Sequence, residues 1–211
     1  LKTNLIQRYI GDDLARYASM NDEGPVRREV SILFADIREF TKFSNQHSPE
    51  ETFSVLNTYV ASTVEAIMRF GGTIDKVMGD SVMGVFGLEE RGDTTSARHR
   101  RVLQAACEIL KQIAALNQGR PNTQRLEIGI GIASGQTLVG AVGSRYRKEI
   151  SVFGQPVNLA SKLQKAAKPR EIVIDEATSI GLEQESLPAE LLEIKGYSMR
   201  IRIFRIRPPI E

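Results

Sequence analysis

The sequence predicts an α+β fold: a ferredoxin-like βαββαβ core with a mixed, mainly antiparallel sheet, followed by a small C-terminal strand subdomain. Three features predict this class. Apolar, β-branched runs alternate with amphipathic helical patterns, two of the runs are separated only by a tight Gly-Asp turn, and short strand-like runs close the chain. With 211 residues, 41% of them hydrophobic, the chain is long enough to bury one substantial core.

The first strand and helix of the core have clear patterns. The run "EVSILFADI" has no polar face, as expected of a strand that is buried on both sides. A long helix is predicted to begin at Ser48, because Ser48 and Glu51 form a capping-box pattern, and to end at Gly71. Its apolar positions recur at helical spacing: Phe53, Leu56, Val60, Val64 and Ile67.

A hairpin and a second helix follow. "TIDKV" reads as a strand that turns at Gly79 and Asp80 and returns through "SVMGVF", and residues 97–117 form an amphipathic helix that ends before Gly119. In "RLEIGIGIASG" the isoleucines share one strand face and Gly129 and Gly131 the other, which would let another element approach closely.

The C-terminal part reads as short elements. We expect strands at 137–143 and 149–153 around the basic loop "SRYRKE", and then a helix that opens in "FGQPVNLASKL". The runs "EIVID", "LLEI" and "RIRIFRI" are predicted as the closing strands.

Residues 1–25 are predicted to be a lead-in helix and linker outside the main domain, 26–211. Apolar residues at helical spacing precede the breaking sequence "NDEGP". This helix either packs on the domain or acts as a coupling segment from an upstream sensor or as a dimer contact.

Composition excludes several classes of function. The 28 basic and 26 acidic residues leave a formal charge of +2, too small a surplus to indicate nucleic-acid binding. Cys107 is the only cysteine, so there is no disulfide framework, and a reducing compartment fits. No apolar run approaches the roughly 20 residues that span a bilayer, and we expect a cytoplasmic domain whose parent protein could still be attached to a membrane.

Two aspartates are expected to converge. A right-handed crossover makes the second strand parallel to the first, so Asp36, at the end of the first strand, and Asp80, in the turn after the second, lie at the same sheet edge. Carboxylates without an obvious basic partner in the sequence favour a hard cation such as Mg²⁺ or Mn²⁺. The alternative for each residue is an ordinary turn aspartate.

Other polar residues fit phosphate chemistry. The segment after Asp36, "IREFT", is expected to be a loop whose free backbone N–H groups could contact phosphate oxygens. Lys76 lies in an otherwise apolar strand, and Asn158 and Lys162 share one helical face. Since no Ser-His or Cys-His nucleophile pair is evident, these groups point to phosphoryl or nucleotidyl transfer.

Five stretches together resemble the catalytic domain of class III nucleotidyl cyclases. In chain order they are "VSILFADIREFT", "GGTIDKVMGDSVMGVFG", "IGIGIASGQTLVGAVGS", "VFGQPVNLASKL" and "EIKGY". The resemblance covers residues 29–206 and implies conversion of ATP or GTP to the 3′,5′-cyclic nucleotide and pyrophosphate. It also implies a head-to-tail homodimer with composite active sites, two metal ions per site and, in the full-length protein, an upstream sensor domain.

Residue roles follow from the same resemblance. Asp36, Asp80 and the carbonyl of Ile37 match metal ligands, and the backbone amides of Phe40 and Thr41 match positions that contact phosphate. The lysine of "EIKGY", Lys195, corresponds to one that contacts the outer phosphates.

The resemblance also assigns base recognition. Lys76 matches a base-reading position that is typically Lys in adenylyl cyclases and Glu in guanylyl cyclases, and a lysine can donate to N1 of adenine. Its companion is Ser151, whose hydroxyl could accept from the adenine amino group or donate to a guanine carbonyl, so it leaves the choice open. ATP is the expected substrate and GTP the alternative.

One position departs from the family. Asn158 matches the asparagine that orients the ribose, but Lys162 stands where the family has an arginine that stabilises charge at the α-phosphate. A lysine keeps the charge and loses the planar, multi-donor geometry, so slow catalysis is expected. A degenerate regulatory domain that binds nucleotide without turnover is the alternative; a palm-type cyclase that makes cyclic dinucleotides would have an acid at Ser81.

Overall fold

The computed structural model describes residues 24–88, 94–121, 125–144, 148–182 and 187–209. The predicted lead-in helix and residues 145–147 of the predicted basic loop lie outside these ranges. The described strands are β1 (Val26–Ile37), β2 (Thr73–Met78), β3 (Ser81–Phe86), β4 (Ile128–Gly143), β5 (Lys148–Phe153), β6 (Glu171–Asp175), β7 (Ala189–Leu192) and β8 (Ile201–Ile206). The described helices are α1 (Phe40–Gln46), α2 (Pro49–Arg69), α3 (Thr95–Gln118), α4 (Gln155–Ala166) and α5 (Glu176–Ser179).

All eight strands form one mixed sheet, as the sequence predicts. Seven of them follow the order β2-β3-β1-β4-β6-β8-β7, and β5 pairs with β4. Strand β1 is antiparallel to both β3 and β4, and among these pairs only β4–β6 is parallel. The strands β2-β3-β1-β4 with α2 and α3 form the ferredoxin-like core, and the C-terminal strands β6, β8 and β7 continue the same sheet.

The direction of β2 confirms the crossover argument. Because β2 is antiparallel to β3 and β3 is antiparallel to β1, β2 runs parallel to β1 with β3 between them. The carboxyl ends of β1 and β2 therefore meet at one edge of the sheet.

Two predictions of local structure are wrong. The strands predicted around "GIGIASG" and at 137–143 are one continuous strand, β4, of 16 residues. The glycine between them, Gly135, has φ 153, but both halves pair with β1 through it, so the chain does not turn. The segment at Phe40, predicted to be a loop, begins the short helix α1 after Glu39 adopts a left-handed backbone with φ 55.

Helix α2 begins and ends where the sequence indicates. Ser48 Oγ accepts from the Glu51 amide at 3.2 Å, and the Glu51 carboxylate accepts from the Ser48 amide at 3.1 Å. This capping box satisfies two amide groups that the first turn of a helix leaves without carbonyl partners.

The sheet is covered on both faces. Alternate residues of β1 belong to two separate cores: Leu33 and Ala35 pack with the layer of α2 and α3, while Ile32 and Phe34 pack with the layer of α4. The predicted strand without a polar face is thus buried on both sides. None of the described helices is long and apolar enough to cross a membrane.

Helix α4 lies directly against a glycine of β4. A Cβ atom at Gly131 would collide with the backbone of Ala160 and Gln164, and one at Gly129 would lie 3.1 Å from the Ala167 side chain. This confirms the close approach that the glycine face predicts. It also fixes the position of α4, which carries Asn158 and Lys162.

Candidate active site

The ends of β1 and β2 bring Asp36 and Asp80 together, as predicted. Asp36 lies opposite Ser81 in the β1–β3 ladder, so it is adjacent in space to the turn that holds Asp80. Gly79 makes that turn in the left-handed conformation, with φ 62. The pKa of Asp36 is raised, chiefly by burial and then by the negative charge of Asp80.

Asp36 has a basic partner that the sequence did not suggest. Arg38 Nη2 donates to Asp36 Oδ1 at 2.7 Å, and Arg38 Nη1 donates to the carbonyl of Gln164 on α4 at 3.3 Å. The expectation of unpaired carboxylates is therefore wrong for Asp36. The guanidinium lowers the pKa of Asp36 in part, against burial and Asp80.

The residues present fit a hard divalent cation. Asp36 and Asp80 offer carboxylate oxygens, the ligands that Mg²⁺ and Mn²⁺ prefer, and their mutual repulsion is relieved when a cation lies between them. The Ile37 side chain is 2% exposed and belongs to the core, so only its backbone carbonyl could contribute. Within the described ranges, no three His, Cys, Asp or Glu side chains converge, and further ligands would come from substrate oxygens or water.

Phe40 and Thr41 open helix α1. The first backbone hydrogen bond of this turn runs from the Phe43 amide to the Glu39 carbonyl at 3.0 Å. The amides of Phe40 and Thr41 precede it and so have no carbonyl partner within the helix. Both residues lie close in the chain to Asp36.

Two predicted base-reading residues, Lys76 and Ser151, meet at an acid that sequence reasoning missed. Ser151 Oγ donates to Asp75 Oδ2 at 2.9 Å, and Lys76 Nζ lies 3.7 Å from the same oxygen. The Val152 amide donates to Asp75 Oδ1 at 3.2 Å. Lys76 Nζ also lies 3.3 Å from Glu149 Oε1, so this lysine has the partners that its strand position requires.

A β-bulge explains why the side chains of Asp75 and Lys76, which are neighbours in the chain, lie close together. In the β2–β3 ladder, Ile74 pairs with Gly84 and Lys76 with Met83, so Asp75 is one extra residue on β2. In a regular strand, side chains 75 and 76 would point to opposite faces, whereas a bulge re-aims them. The only indication in the sequence was that Asp75 stands next to Lys76 within a predicted strand. The alternation of residues along a strand does not predict that these two side chains lie close together.

Asn158 and Lys162 lie on α4, one turn apart. Pro156 is in the first turn of α4, as "FGQPVN" predicts, and Asn158 is exposed. Lys162 Nζ donates to the carbonyl of Lys195 at 2.6 Å. Lys195 lies in a turn with Gly196, whose φ is 94, so Lys162 ties this turn to the helix.

The predicted residues thus form three groups: the Asp36 and Asp80 carboxylates, the pair of Lys76 and Ser151 on Asp75, and the α4 residues with the turn of Lys195. The two carboxylates lie where β1 and β2 end, Lys76 and Ser151 lie within β2 and β5, and Asn158 and Lys162 lie on a helix packed against the sheet.

Comparison with known proteins supplies the family. Residues 25–202 match the model of the adenylate and guanylate cyclase catalytic domain. The chain belongs to this family of cyclase catalytic domains. The match covers most of the chain and includes all of the predicted site residues.

Two curated relatives of this cyclase domain are named adenylate cyclases. It is 34% identical over 188 residues to the adenylate cyclase of Anabaena cylindrica, an alignment that covers 85% of this chain and 37% of that protein. It is 28% identical over 186 residues to the terminal-differentiation-specific adenylate cyclase of Dictyostelium discoideum, of which it spans 9%. The cyclase domain is therefore a small part of these longer relatives.

Solved cyclase structures share the fold. The adenylyl cyclase CyaB from P. aeruginosa superposes with a TM-score of 0.77 at 29% identity, covering 86% of this chain and 94% of that one. The guanylyl cyclase Cya2 also gives a TM-score of 0.77, at 30% identity, covering 86% and 93%. The fold of the cyclase domain is thus common to enzymes named for either nucleotide.

Proposed function

We propose that this domain is an adenylyl cyclase that converts ATP to 3′,5′-cyclic AMP and pyrophosphate. The observation that carries the proposal is the meeting of Asp36 and Asp80 at one sheet edge, in a chain that is 34% identical to a protein named adenylate cyclase. The two carboxylates provide the oxygen ligands for two Mg²⁺ or Mn²⁺ ions per site.

The role of the two carboxylates in the proposed reaction is to hold divalent metal ions. Bound divalent ions supply charge that lowers the pKa of the ribose 3′-hydroxyl and offsets the charge of the departing pyrophosphate. Asp36, Asp80 and the Ile37 carbonyl hold the ions, and Arg38 keeps the Asp36 carboxylate oriented through its 2.7 Å hydrogen bond. The amides of Phe40 and Thr41 contact the triphosphate oxygens.

Lys76 and Ser151 select the base. The Lys76 ammonium donates to N1 of adenine, an acceptor, whereas guanine presents an N1–H donor at the same place. Its 3.3 Å contact with Glu149 and 3.7 Å contact with Asp75 hold this lysine in position. ATP is therefore favoured over GTP.

The α4 residues act on the sugar and the phosphates. Asn158 orients the ribose, Lys162 stabilises the charge that develops around the α-phosphate, and Lys195 contacts the outer phosphates. The bond from Lys162 to the Lys195 carbonyl, at 2.6 Å, brings these two cationic residues into one unit.

Two copies of the domain make each site. We place Asp36 and Asp80 of one protomer opposite Asn158 and Lys162 of the other. Large apolar side chains are exposed on the strands next to the base-reading cluster, as expected of a surface that a second copy covers: Val77 and Met78 on β2, Val142 on β4 and Phe153 on β5. In the full-length protein an upstream sensor domain would control this arrangement, and the catalytic domain would lie in the cytoplasm.

The experiment measures the product directly. The protein at a concentration where it is dimeric is incubated with Mn²⁺ and ATP or GTP, and cyclic nucleotides are separated and quantified. Cyclic AMP should predominate. Asp80→Asn should abolish it and also abolish the rise in Tm that Mn²⁺ causes, because a ligand that binds only the folded state stabilises it.

The matched control is Glu65→Gln, which removes a carboxylate from the exposed face of α2. It should leave both turnover and the metal-dependent Tm unchanged. Nucleotide binding with no cyclic product would overturn the proposal and support the regulatory alternative, for which the substitution of arginine by Lys162 is the supporting feature.

A further inference from the structure

The hydroxyl group of Ser151 has one hydrogen, and the structure shows where it goes. Ser151 Oγ is 2.9 Å from Asp75 Oδ2. An ionised carboxylate only accepts hydrogen bonds, so the serine must be the donor. The oxygen of Ser151 then has only lone pairs left for any other partner.

The hydrogen bonds at Asp75 are those of an accepting carboxylate. Its side chain is fully buried, and burial raises its pKa. Against this, three donors favour the carboxylate: the Ser151 hydroxyl, the Lys76 ammonium at 3.7 Å and the Val152 amide at 3.2 Å. The acid therefore has a hydrogen-bond partner on each oxygen.

We propose that Asp75 is a specificity-determining positioning residue, which fixes Ser151 as a hydrogen-bond acceptor and so makes the base pocket select adenine. This inference rests on the proposed function, because the resemblance to the cyclases is what places Ser151 and Lys76 beside the base. Adenine presents an amino donor where guanine presents a carbonyl acceptor, and only the amino group can pair with a lone pair of Ser151.

The bulge at Asp75 makes this arrangement possible. It turns the extra residue of β2 toward β5, next to Lys76 instead of opposite to it. One oxygen of Asp75 thereby contacts both groups that would read the base, the serine at 2.9 Å and the lysine at 3.7 Å. Asp75 thus orients both the Ser151 hydroxyl, as an acceptor, and the Lys76 ammonium, which is a donor. These two groups are complementary to the amino donor and the N1 acceptor of adenine.

Asp75→Asn reverses the direction of one hydrogen bond. The Val152 amide is a donor, so the amide oxygen of the new side chain faces it, and the new NH₂ group faces Ser151. The serine then accepts, and its hydrogen is free to point to the base. A hydroxyl that donates suits the guanine carbonyl.

The test is the ratio of kcat/KM for ATP to that for GTP. We expect Asp75→Asn to lower this ratio about tenfold, the effect of one hydrogen bond that is gained by one base and lost by the other. Ser151→Thr keeps a hydroxyl that can donate to Asp75 and should retain the ratio. In a Ser151→Ala background, Asp75→Asn should have a smaller effect on the ratio, since the hydroxyl that Asp75 orients is absent and only its 3.7 Å contact with Lys76 remains.

A purely structural role gives a different result. If Asp75→Asn lowers turnover of both nucleotides equally, or leaves the ratio unchanged in a folded protein, the inference is overturned. If Asp75→Asn does not fold, the ratio of kcat/KM for ATP to that for GTP is measured for Ser151→Ala instead. This ratio should fall if Ser151 accepts from adenine. A retained ratio refutes the inference.

The proposed function can fail separately. If wild-type protein forms no cyclic nucleotide, binding of 3′-deoxy-ATP and 3′-deoxy-GTP, which lack the reacting hydroxyl, replaces turnover as the measurement. A preference for the adenine nucleotide that Asp75→Asn lowers supports the role of Asp75 without catalysis. Equal affinities, or no binding of either nucleotide, overturn it.

Discussion

Lys162 is the residue at which the resemblance predicts a departure from the family, because an arginine is expected there. In the structure its Nζ donates to the Lys195 carbonyl at 2.6 Å, so part of its hydrogen-bonding capacity is used within its own protomer. An ammonium group is a single charge with three donors, whereas a guanidinium has five donors in a plane. An arginine could keep the carbonyl contact and still present two donors to a phosphate.

Lys162→Arg should therefore increase kcat. We expect a gain of about tenfold or more with little change in KM, because the added donors act on charge that develops in the transition state. Steady-state rates with Mn-ATP measure this. Lys165→Arg, an exposed change on the same helix, is the matched control and should have no effect. Rapid wild-type turnover that Lys162→Arg leaves unchanged would show that lysine suffices.

At the residue scale, the position of the two carboxylates could be predicted, because it follows from the direction of the strands. Contacts that depend on side-chain conformation or on a residue from another strand could not be predicted. The meeting of Asp36 and Asp80 followed from strand direction alone. The Arg38 contact with Asp36 depends on side-chain conformation, and Asp75 depends on a bulge and on β5, so neither could be derived from local sequence.

At the scale of elements, the long helices α2 and α3 were predicted closely, while the short helices α1 and α5 were missed. Helix α2 has its capping box at Ser48, and α3 ends next to Gly119, as the sequence indicates. The prediction divided β4 into two strands because Gly135 is typical of a position where a strand ends. Its pairing with β1 on both sides of that glycine keeps it continuous, and pairing is a tertiary property.

Gly131→Ala tests the packing of α4 on β4. Its Cβ would collide with the backbone of Ala160 and Gln164, which cannot rotate away, so α4 must shift. We expect a loss of about 3 kcal/mol in the free energy of unfolding. Gly119→Ala is the matched control: its φ is −91 and nothing lies within 4 Å of the added methyl group, so the change should be within about 0.5 kcal/mol. Urea unfolding measures both, and equal losses would contradict this packing argument.

At the scale of the whole molecule, the described domain is one sheet with helices on both faces and exposed apolar side chains on the strands near the base-reading cluster. In the proposed dimer, each site takes carboxylates from one copy and α4 residues from the other. Catalysis would then depend on assembly, and a change in how two copies meet would control it.

Mixing two inactive variants tests this composite site. Asp80→Asn lacks a metal ligand and Asn158→Ala lacks the ribose-orienting group, so a mixed dimer has one intact site and one site with both defects. With random exchange half of the dimers are mixed, and activity should recover to about a quarter of wild type. Asp36→Asn mixed with Asp80→Asn is the control, since every site then keeps a defect. No recovery in the first mixture, with exchange verified, would contradict the shared site.

The sequence by itself determined the α+β class and most element boundaries, because hydrophobic periodicity, caps and turn residues act over a few positions. It also predicts the residues that would carry the chemistry. The tertiary structure decided the continuity of β4, the pairing of Asp36 with Arg38, and the meeting of Lys76 and Ser151 on Asp75. Those features depend on strand register, on side-chain conformation and on contacts between residues that are distant in the chain, such as Arg38 with Gln164 and Ser151 with Asp75. The segment "FGQPVNLASKL" predicts a helix, but only its contact with the Lys195 turn shows what Lys162 touches.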